Sequence, residues 1–452
     1  MAEAHHFRIL EFYSGIGGMH YAFNESGHLG DILQAFDINT TANEVYAHNH
    51  GKKHLSQRNI EAVKMEVYDK HKADVWLMSP PCQPYTRTGN QEGSKDTRAK
   101  SFLYLMNILP KMQHPPNYLL LENVKGFEES DSRDLLVDCL TKAGYEFQEL
   151  LITPLQIGIP NSRMRYYCLA RKTLNVGSFV QPVTNTLIGY IPSLTPPLPS
   201  SSSQDQGEQQ QQALLQKGFV DGRKQGDISG LSMPSSSVAA KKRRTSLLTA
   251  TVTKEDNSAV SKPDEDDILE DPMLALNVDQ IEKYLEFRNA DDDRMQKYMI
   301  PDKTLLKYGK TFDIVKETTR RSCCFTKGYY HFVESTGSIL QMAHELDTAS
   351  VFIEAEALKA KPDSANPEED NARALALLRT LHLRYFTENE VARLMGFPIL
   401  EGKFSFPDTT SLKQRYRVLG NSINVKVVAK LIQYLLTGTP KEGQEPQEAS
   451  LG

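Results

Sequence analysis

The sequence predicts an α/β fold built on a parallel sheet flanked by helices. Short apolar runs alternate with amphipathic ones through the first third of the chain, the pattern of strands feeding crossover helices. Turn motifs rich in glycine or proline follow directly on two of those apolar runs, at Ser14–Gly18 and Ser79–Pro84. With 452 residues, 39% of them hydrophobic, there is enough apolar material for one large core with an insertion or for about three domains.

The candidate strands are Phe7–Phe12, Ile32–Ile38, Asp74–Met78, Tyr118–Leu121, Glu146–Ile152 and Tyr166–Ala170. Between them lie candidate helices near Gly18–Ser26, Thr40–Asn49, Ile60–His71, Ala99–Lys111 and Ser132–Ala143. Around Pro192 the character changes to prolines, serine runs, Gln209–Gln212, the basic Lys241–Arg244 and the acidic Asp264–Asp271. Such sequence buries too little apolar area to offset its ordering entropy, so 193–270 is expected to be disordered. Order is expected to resume near Met273. Helical patterns follow at Ala372–Leu381 and Val425–Leu436, and at Thr387–Phe397, where Thr387 and Glu390 have capping-box spacing.

Net charge is −5, but Arg294–Phe332 holds nine basic residues against three acids, a local charge of +6, interleaved with seven Tyr and Phe. Basic groups can hold phosphates and aromatic faces can stack on bases; a solvated face over ordinary core aromatics explains the stretch equally well. No apolar run approaches the ~18 residues of a membrane span, and Met1–Phe7 lacks an apolar signal core. Five scattered cysteines without a CxxC pair predict neither a disulfide framework nor a metal site. A reducing compartment is therefore expected, cytoplasmic by default. Lys241–Arg244 leaves a nuclear address open against a solvated linker.

Three places carry chemistry. The turn Phe12-Tyr13-Ser14-Gly15-Ile16-Gly17-Gly18 follows the first strand and opens a helix, so its amides can approach a ligand. Asp37 ends the next strand pattern, where an acid can accept ribose hydroxyl protons. Ser79-Pro80-Pro81-Cys82-Gln83-Pro84 aims a cysteine from the carboxyl edge of the sheet, where a thiolate is a nucleophile. Glu122 stands at the end of a neighbouring strand and can hold a proton against a heterocycle. Arg163 and Arg165, two residues apart, point the same way and can bind phosphate or clamp Glu122.

The order GxGG, Pro-Pro-Cys-Gln, Glu-Asn-Val, Gln…Arg-x-Arg and Gly420-Asn421-Ser422 resembles the cytosine-5 methyltransferases. Pro84-Tyr85-Thr86-Arg87, Cys324-Phe325-Thr326 and Arg393–Pro398 resemble one branch of them, the DNA-methyltransferase-like tRNA-aspartate methyltransferases. The resemblance covers about 7–180 and 273–440. It implies a Rossmann-like S-adenosylmethionine-dependent core at 7–180 and 387–440, a target-recognition domain at 271–386 and a flexible tail at 441–452. It further implies Cys82 as nucleophile, assisted by Glu122, Arg163 and Arg165. Ile16, Gly17, Gly18, Asp37, Asn59, Ile60, Ser79, Asn424 and Val425 would hold the cofactor. Arg87, Lys316, Arg320, Arg321, Cys324, Phe325, Thr326 and Lys327 would face the substrate.

The expected reaction is methylation of a cytosine in the anticodon loop of tRNA-Asp, position 38 in tRNA numbering, by a monomer with weak DNA binding allowed. DNA methylation, or a silent nucleic-acid-binding protein of the same fold, stays open as an alternative. A nicotinamide oxidoreductase leaves Pro-Pro-Cys-Gln idle and is set aside.

Overall fold

In a computed structural model of the chain, residues 5–81, 99–180, 186–192, 277–288, 292–332, 334–359 and 366–437 are described. The expected disordered insertion, Cys82, Arg87, Lys241–Arg244 and the tail lie outside them. Seven strands form the main sheet: β1 His6–Phe12, β2 Leu29–Phe36, β3 Leu55–Ser56, β4 Val75–Met78, β5 Tyr118–Val124, β6 Glu146–Ile152 and β7 Arg165–Arg171. Their spatial order is β3-β2-β1-β4-β5-β7-β6, parallel except for β7, which pairs antiparallel with both β5 and β6. The expected sheet was wholly parallel. Apolar periodicity marks a strand and says nothing of its direction, so β7 could only be found from its pairing.

The sequence explains why the central strands are central. Every residue of β4 is buried, as are the first six of β5, because helices cover both faces. Alternate residues divide between two cores. Val75, Leu77, Tyr118, Leu120, Tyr167 and Leu169 face one, and Trp76, Met78, Leu119, Leu121, Tyr166 and Cys168 face the other. Helices α1 Gly18–Glu25 and α2 Thr40–His50 belong to the first layer. α3 Met65–Lys70, α4 Lys100–Ile108 and α5 Asp131–Lys142 belong to the second, and the single turn α6 Thr173–Val176 follows β7.

The expected helix Ile60–His71 is instead a 3₁₀ turn, Ile60–Ala62, followed by α3. Val63 is buried and extended, and its carbonyl accepts the Tyr104 hydroxyl at 2.7 Å rather than continuing a helix.

A second, three-stranded sheet holds β8 Ile314–Val315, β9 Ile339–Gln341 and β10 Leu383–Tyr385 in the order β10-β9-β8. Beside it run α7 Asp302–Tyr308, α8 Thr348–Lys359 and α9 Pro367–Arg379. The chain then returns to the main core through α10 Glu388–Leu394, α11 Leu412–Gly420 and α12 Val425–Leu436. Thr387 and Glu390 form the expected capping box at the start of α10. Glu390 also makes a wholly buried bidentate pair with Arg384 of β10, at 2.7 and 2.8 Å, which fastens the second sheet to α10. α12 lies against the main sheet and α1. Nine of its twelve residues are buried, its Asn424 cap donates to Leu394 O, and Lys426 pairs with Glu25.

Candidate active site

Reversal of strand order between β1 and β4 leaves a crevice at their carboxyl ends, the place where ligands of open α/β sheets gather. The glycine turn leaves β1 into that crevice. Tyr13, Gly15 and Gly17 all have positive φ (60°, 53° and 86°), and at Tyr13 that is strain borne by a side-chain-bearing residue. Hydrogen bonds hold it there. Ser79 Oγ donates to Tyr13 O at 3.0 Å, and Ser14 N donates to Phe36 O at 3.0 Å. Gly17 caps α1 without a side chain, and a Cβ on it would fall 2.6 Å from His50 Nε2. A Cβ on Gly18 would meet Ile423 at 2.6 Å, so the glycine turn and the segment entering α12 are packed face to face.

Asp37 follows β2 and accepts Gly15 N–H at 2.8 Å and Asn39 N–H at 2.7 Å. Burial pushes its carboxyl up, against the backbone N–H groups of Asn39, Gly15 and Ile38. Asn59 is exposed and Ile60 buried in the turn after β3, with Ile60 O accepting the Tyr68 hydroxyl. Asn424 is buried with both amide atoms occupied, accepting Val427 N–H and donating to Leu394 O, while Val425 N donates to Met395 O. Ile16 is buried.

The other half of the crevice is ionic. Glu122 pairs across the β5–β7 ladder with Tyr167, and Arg165 pairs with Val124, so Glu122 and Arg165 are diagonal neighbours on one face. Arg165 Nε lies 3.3 Å from Glu122 Oε1, both side chains nearly buried. Arg163 precedes β7 and reaches elsewhere. It donates to Phe325 O at 3.2 Å, to Gly420 O at 3.4 Å and to Ser422 O. Spacing suggested that both arginines face one pocket, and both meet at Cys324; the carboxylate clamp falls to Arg165, while Arg163 also ties its own segment to Phe325 and to Gly420–Ser422.

Cys324 Sγ sits between them, 3.3 Å from Arg163 Nη1 and 3.7 Å from Arg165 Nη2. Burial raises its thiol, but the two guanidinium groups outweigh that and bring it below the ordinary value. Burial likewise raises Glu122, and here Arg165 and Arg163 only moderate the rise, so the carboxyl stays above its usual range.

Pro80 and Pro81 leave β4 between these halves. Asn123 Nδ2 donates to Pro80 O at 3.3 Å, so the turn that leads to Cys82 is pinned on β5 one residue beyond Glu122. Cys82 follows Pro81, the last described residue of this turn.

Of the expected substrate residues, Cys324 lies between the two arginines and Lys327 is exposed. Phe325 is buried against Tyr329 and Phe386. Thr326 N donates to Thr336 O. Lys316 Nζ donates to His344 O and Leu346 O, Arg320 donates to Val278 O, and Arg321 pairs with Asp313. The backbone of Thr326–Lys327 abuts Gly420, where a Cβ would come within 2.1 Å of Lys327 N.

Three positions were not among the site residues expected from the sequence. Ser14 Oγ is buried in the glycine turn with no partner among the described residues. Ser422 contributes a carbonyl, which no side-chain pattern reveals. Glu11 is wholly buried beneath the turn, its carboxyl accepting from His20 N and the Tyr46 hydroxyl. An acid inside an otherwise apolar strand was a signal available in the sequence. Among the described residues, no group of three or more His, Cys, Asp or Glu is placed to hold a metal ion, and no helix is long and apolar enough to cross a membrane.

Sheet order, glycine turn and the carboxylate–arginine pair at one edge define the Rossmann-like methyltransferase class. The family described as C-5 cytosine-specific DNA methylase matches residues 7–437, and the chain belongs to it. It is 41% identical to the mouse protein named tRNA (cytosine(38)-C(5))-methyltransferase over 431 residues, 95% of this chain and 94% of that one. It is 35% identical, over 95% of its length and 94% of the relative's, to a Dictyostelium discoideum protein named DNA (cytosine-5)-methyltransferase. The crystal structure of a Spodoptera frugiperda DNMT2 mutant aligns with TM-score 0.64 and 33% identity, covering 95% of this chain and 99% of that one.

Proposed function

We propose that this chain transfers a methyl group from S-adenosylmethionine to carbon 5 of cytosine 38 in the anticodon loop of a tRNA, tRNA-Asp foremost. The observation that carries the reading is the Glu122–Arg165 pair set one residue from the anchor of the Cys82 turn. The identity to the mouse tRNA enzyme, spread over nearly the whole chain, gives the substrate class.

The glycine turn fits the cofactor. A Cβ at Gly15 would point into open space, with Tyr13 O its nearest neighbour at 3.9 Å, and the buried Ser14 hydroxyl lacks a partner among the described residues. Ile16–Gly18 would hold the methionine part, Asp37 the ribose, and Asn59 and Ile60 the adenine. When bound, the cofactor supplies an electrophilic methyl group.

Carbon 5 of cytosine is too weak a nucleophile to take that methyl unaided. Addition of the Cys82 thiolate at carbon 6, with the Glu122 proton shared to ring N3, turns carbon 5 into an enamine-like centre. After methylation, carbon 5 gives its proton to water, the bond to Cys82 breaks to restore the thiolate, and ring N3 returns its proton to Glu122. Arg165 keeps Glu122 oriented, and Arg163 locks the wall behind it. The ring must be met face-on, so the base leaves its stack, at lower cost from a loop than from a duplex. Residues 271–386 serve as the target-recognition part in this scheme.

Labelled-methyl assays on tRNA-Asp, on tRNA-Asp with cytosine 38 replaced by uridine, and on duplex DNA test the proposal. Transfer to the first alone is expected, with Cys82→Ala inactive. Equal labelling of the replaced tRNA overturns the target position. Preferential labelling of duplex DNA favours the second reading, which the name of the Dictyostelium relative supports.

A further inference from the structure

Beyond the residues already assigned, we propose that Phe332, with Lys327 on the same turn, forms a platform on which an unpaired base next to the target cytosine stacks. The inference rests on the reading of an RNA-loop substrate and adds the group that grips the loop.

Among the described residues Phe332 is the most exposed Phe, Tyr or Trp ring, at 63%. Its ring stands on the loop whose Lys327 backbone abuts Gly420, so it offers a flat apolar face on which a base can stack. Its backbone is fixed: Phe332 N donates to Gly328 O at 2.8 Å, and Phe332 O accepts the Thr336 hydroxyl at 2.5 Å. Two residues earlier, Tyr330 has φ 70°, a strained conformation for a residue with a side chain. That strain is held by a stack on Tyr416 at 5.3 Å, an edge contact with Tyr385 and a hydrogen bond from the Tyr330 hydroxyl to Lys297 O. With Tyr330 pinned inward, His331 and Phe332 are both left exposed, their rings 4.5 Å apart.

The platform is connected to the reacting centre by a short path. Lys327 is exposed, and its backbone touches Gly420, whose carbonyl accepts from Arg163. Lys316 and Arg320 spend their donors on backbone carbonyls, whereas Lys327 has no such tie among the described residues, which leaves its ammonium for a loop phosphate.

Binding of the full chain to a tRNA-Asp anticodon hairpin, with 2-aminopurine beside cytosine 38, tests this. Phe332→Ala is expected to weaken binding roughly ten-fold, the size of one lost base stack, and to reduce the change in 2-aminopurine emission. In turnover the loss appears in KM for RNA rather than in kcat. Phe332→Tyr is expected to bind within about two-fold of the native chain, because stacking needs the ring. Phe332→Leu, apolar but not flat, is expected to stay as weak as alanine. Ile353→Ala, another exposed apolar side chain, on α8, serves as control. Native affinity in Phe332→Ala, or rescue by leucine as good as by tyrosine, overturns the platform alone. A native chain that fails to bind the hairpin overturns the RNA reading and the platform together.

Discussion

The environment of Glu122 opposes itself. Burial favours the protonated carboxyl and two guanidinium groups favour the carboxylate, with burial the stronger, so its proton leaves at higher pH than from an ordinary carboxyl; in the proposed reaction that proton goes to ring N3. Activity that needs this proton falls as pH rises through the raised pKa. Glu122→Gln is expected to lower kcat by about 100-fold or more with cofactor affinity retained, since acid–base groups contribute on that order. Arg165→Met removes the nearer of the opposing charges, raises the Glu122 pKa further and moves the alkaline limb of the kcat/KM profile to higher pH. A limb that stays in place dissociates Arg165 from Glu122. Cys82 lies outside the described residues, and at this scale the sequence was legible at Asp37, just past β2, and at Glu122, near the end of β5. It was silent about which guanidinium meets the carboxylate, because Arg163 and Arg165 differ only in what lies across from them.

Short elements were where local pattern lost its grip. The strands of the main sheet and α12 were legible from apolar runs, whereas β3 is two residues long and exists only through pairing with β2. α8 carries exposed apolar residues such as Ile353 beside buried Val351 and Ala355, so no single face announces it, and α11 hides its buried Tyr416, Val418 and Leu419 among charged neighbours. The junction between α11 and α12 makes a prediction of its own. Gly420 has no room for a methyl group against the backbone of Thr326 and Lys327. Gly420→Ala must therefore push the Thr326–Lys327 segment away, at a cost of about 1–3 kcal/mol or more. The carbonyls that hold Arg163 shift with it. A lower Tm and a loss of methyl transfer larger than the loss of fold are expected, measured by thermal melting beside turnover. An unchanged Tm contradicts the contact.

Across the whole molecule, protonation of one buried group sets how stability follows pH. Glu11 is raised from 4.5 to about 8, chiefly by burial. Between those values the folded state keeps a proton that the unfolded chain has released, so the stabilisation is full below about 4.5 and fades as pH climbs through about 8. The slope is about 1.4 kcal/mol per pH unit inside that window. Glu11→Gln is expected to flatten the decline in melting temperature between pH 6.5 and 8, above the range in which His20 and His50 act; a slope that persists places its origin elsewhere. His20 and His50, stacked at 3.8 Å, are lowered by burial to about 4 and about 3, and they set the opposite trend, with stability lost as pH falls below about 6.5. Strand order, the path of β7 and the meeting of Gly420 with Lys327 belong to this scale too, and none is written in any local stretch of sequence, because each joins segments far apart in the chain. One of those long joins has a consequence for biosynthesis. α12, ending at Leu436, covers the sheet that begins at His6. A growing polypeptide therefore leaves that oily face open until α12 has emerged, so a stop codon placed before Val425 is expected to yield a chain that aggregates.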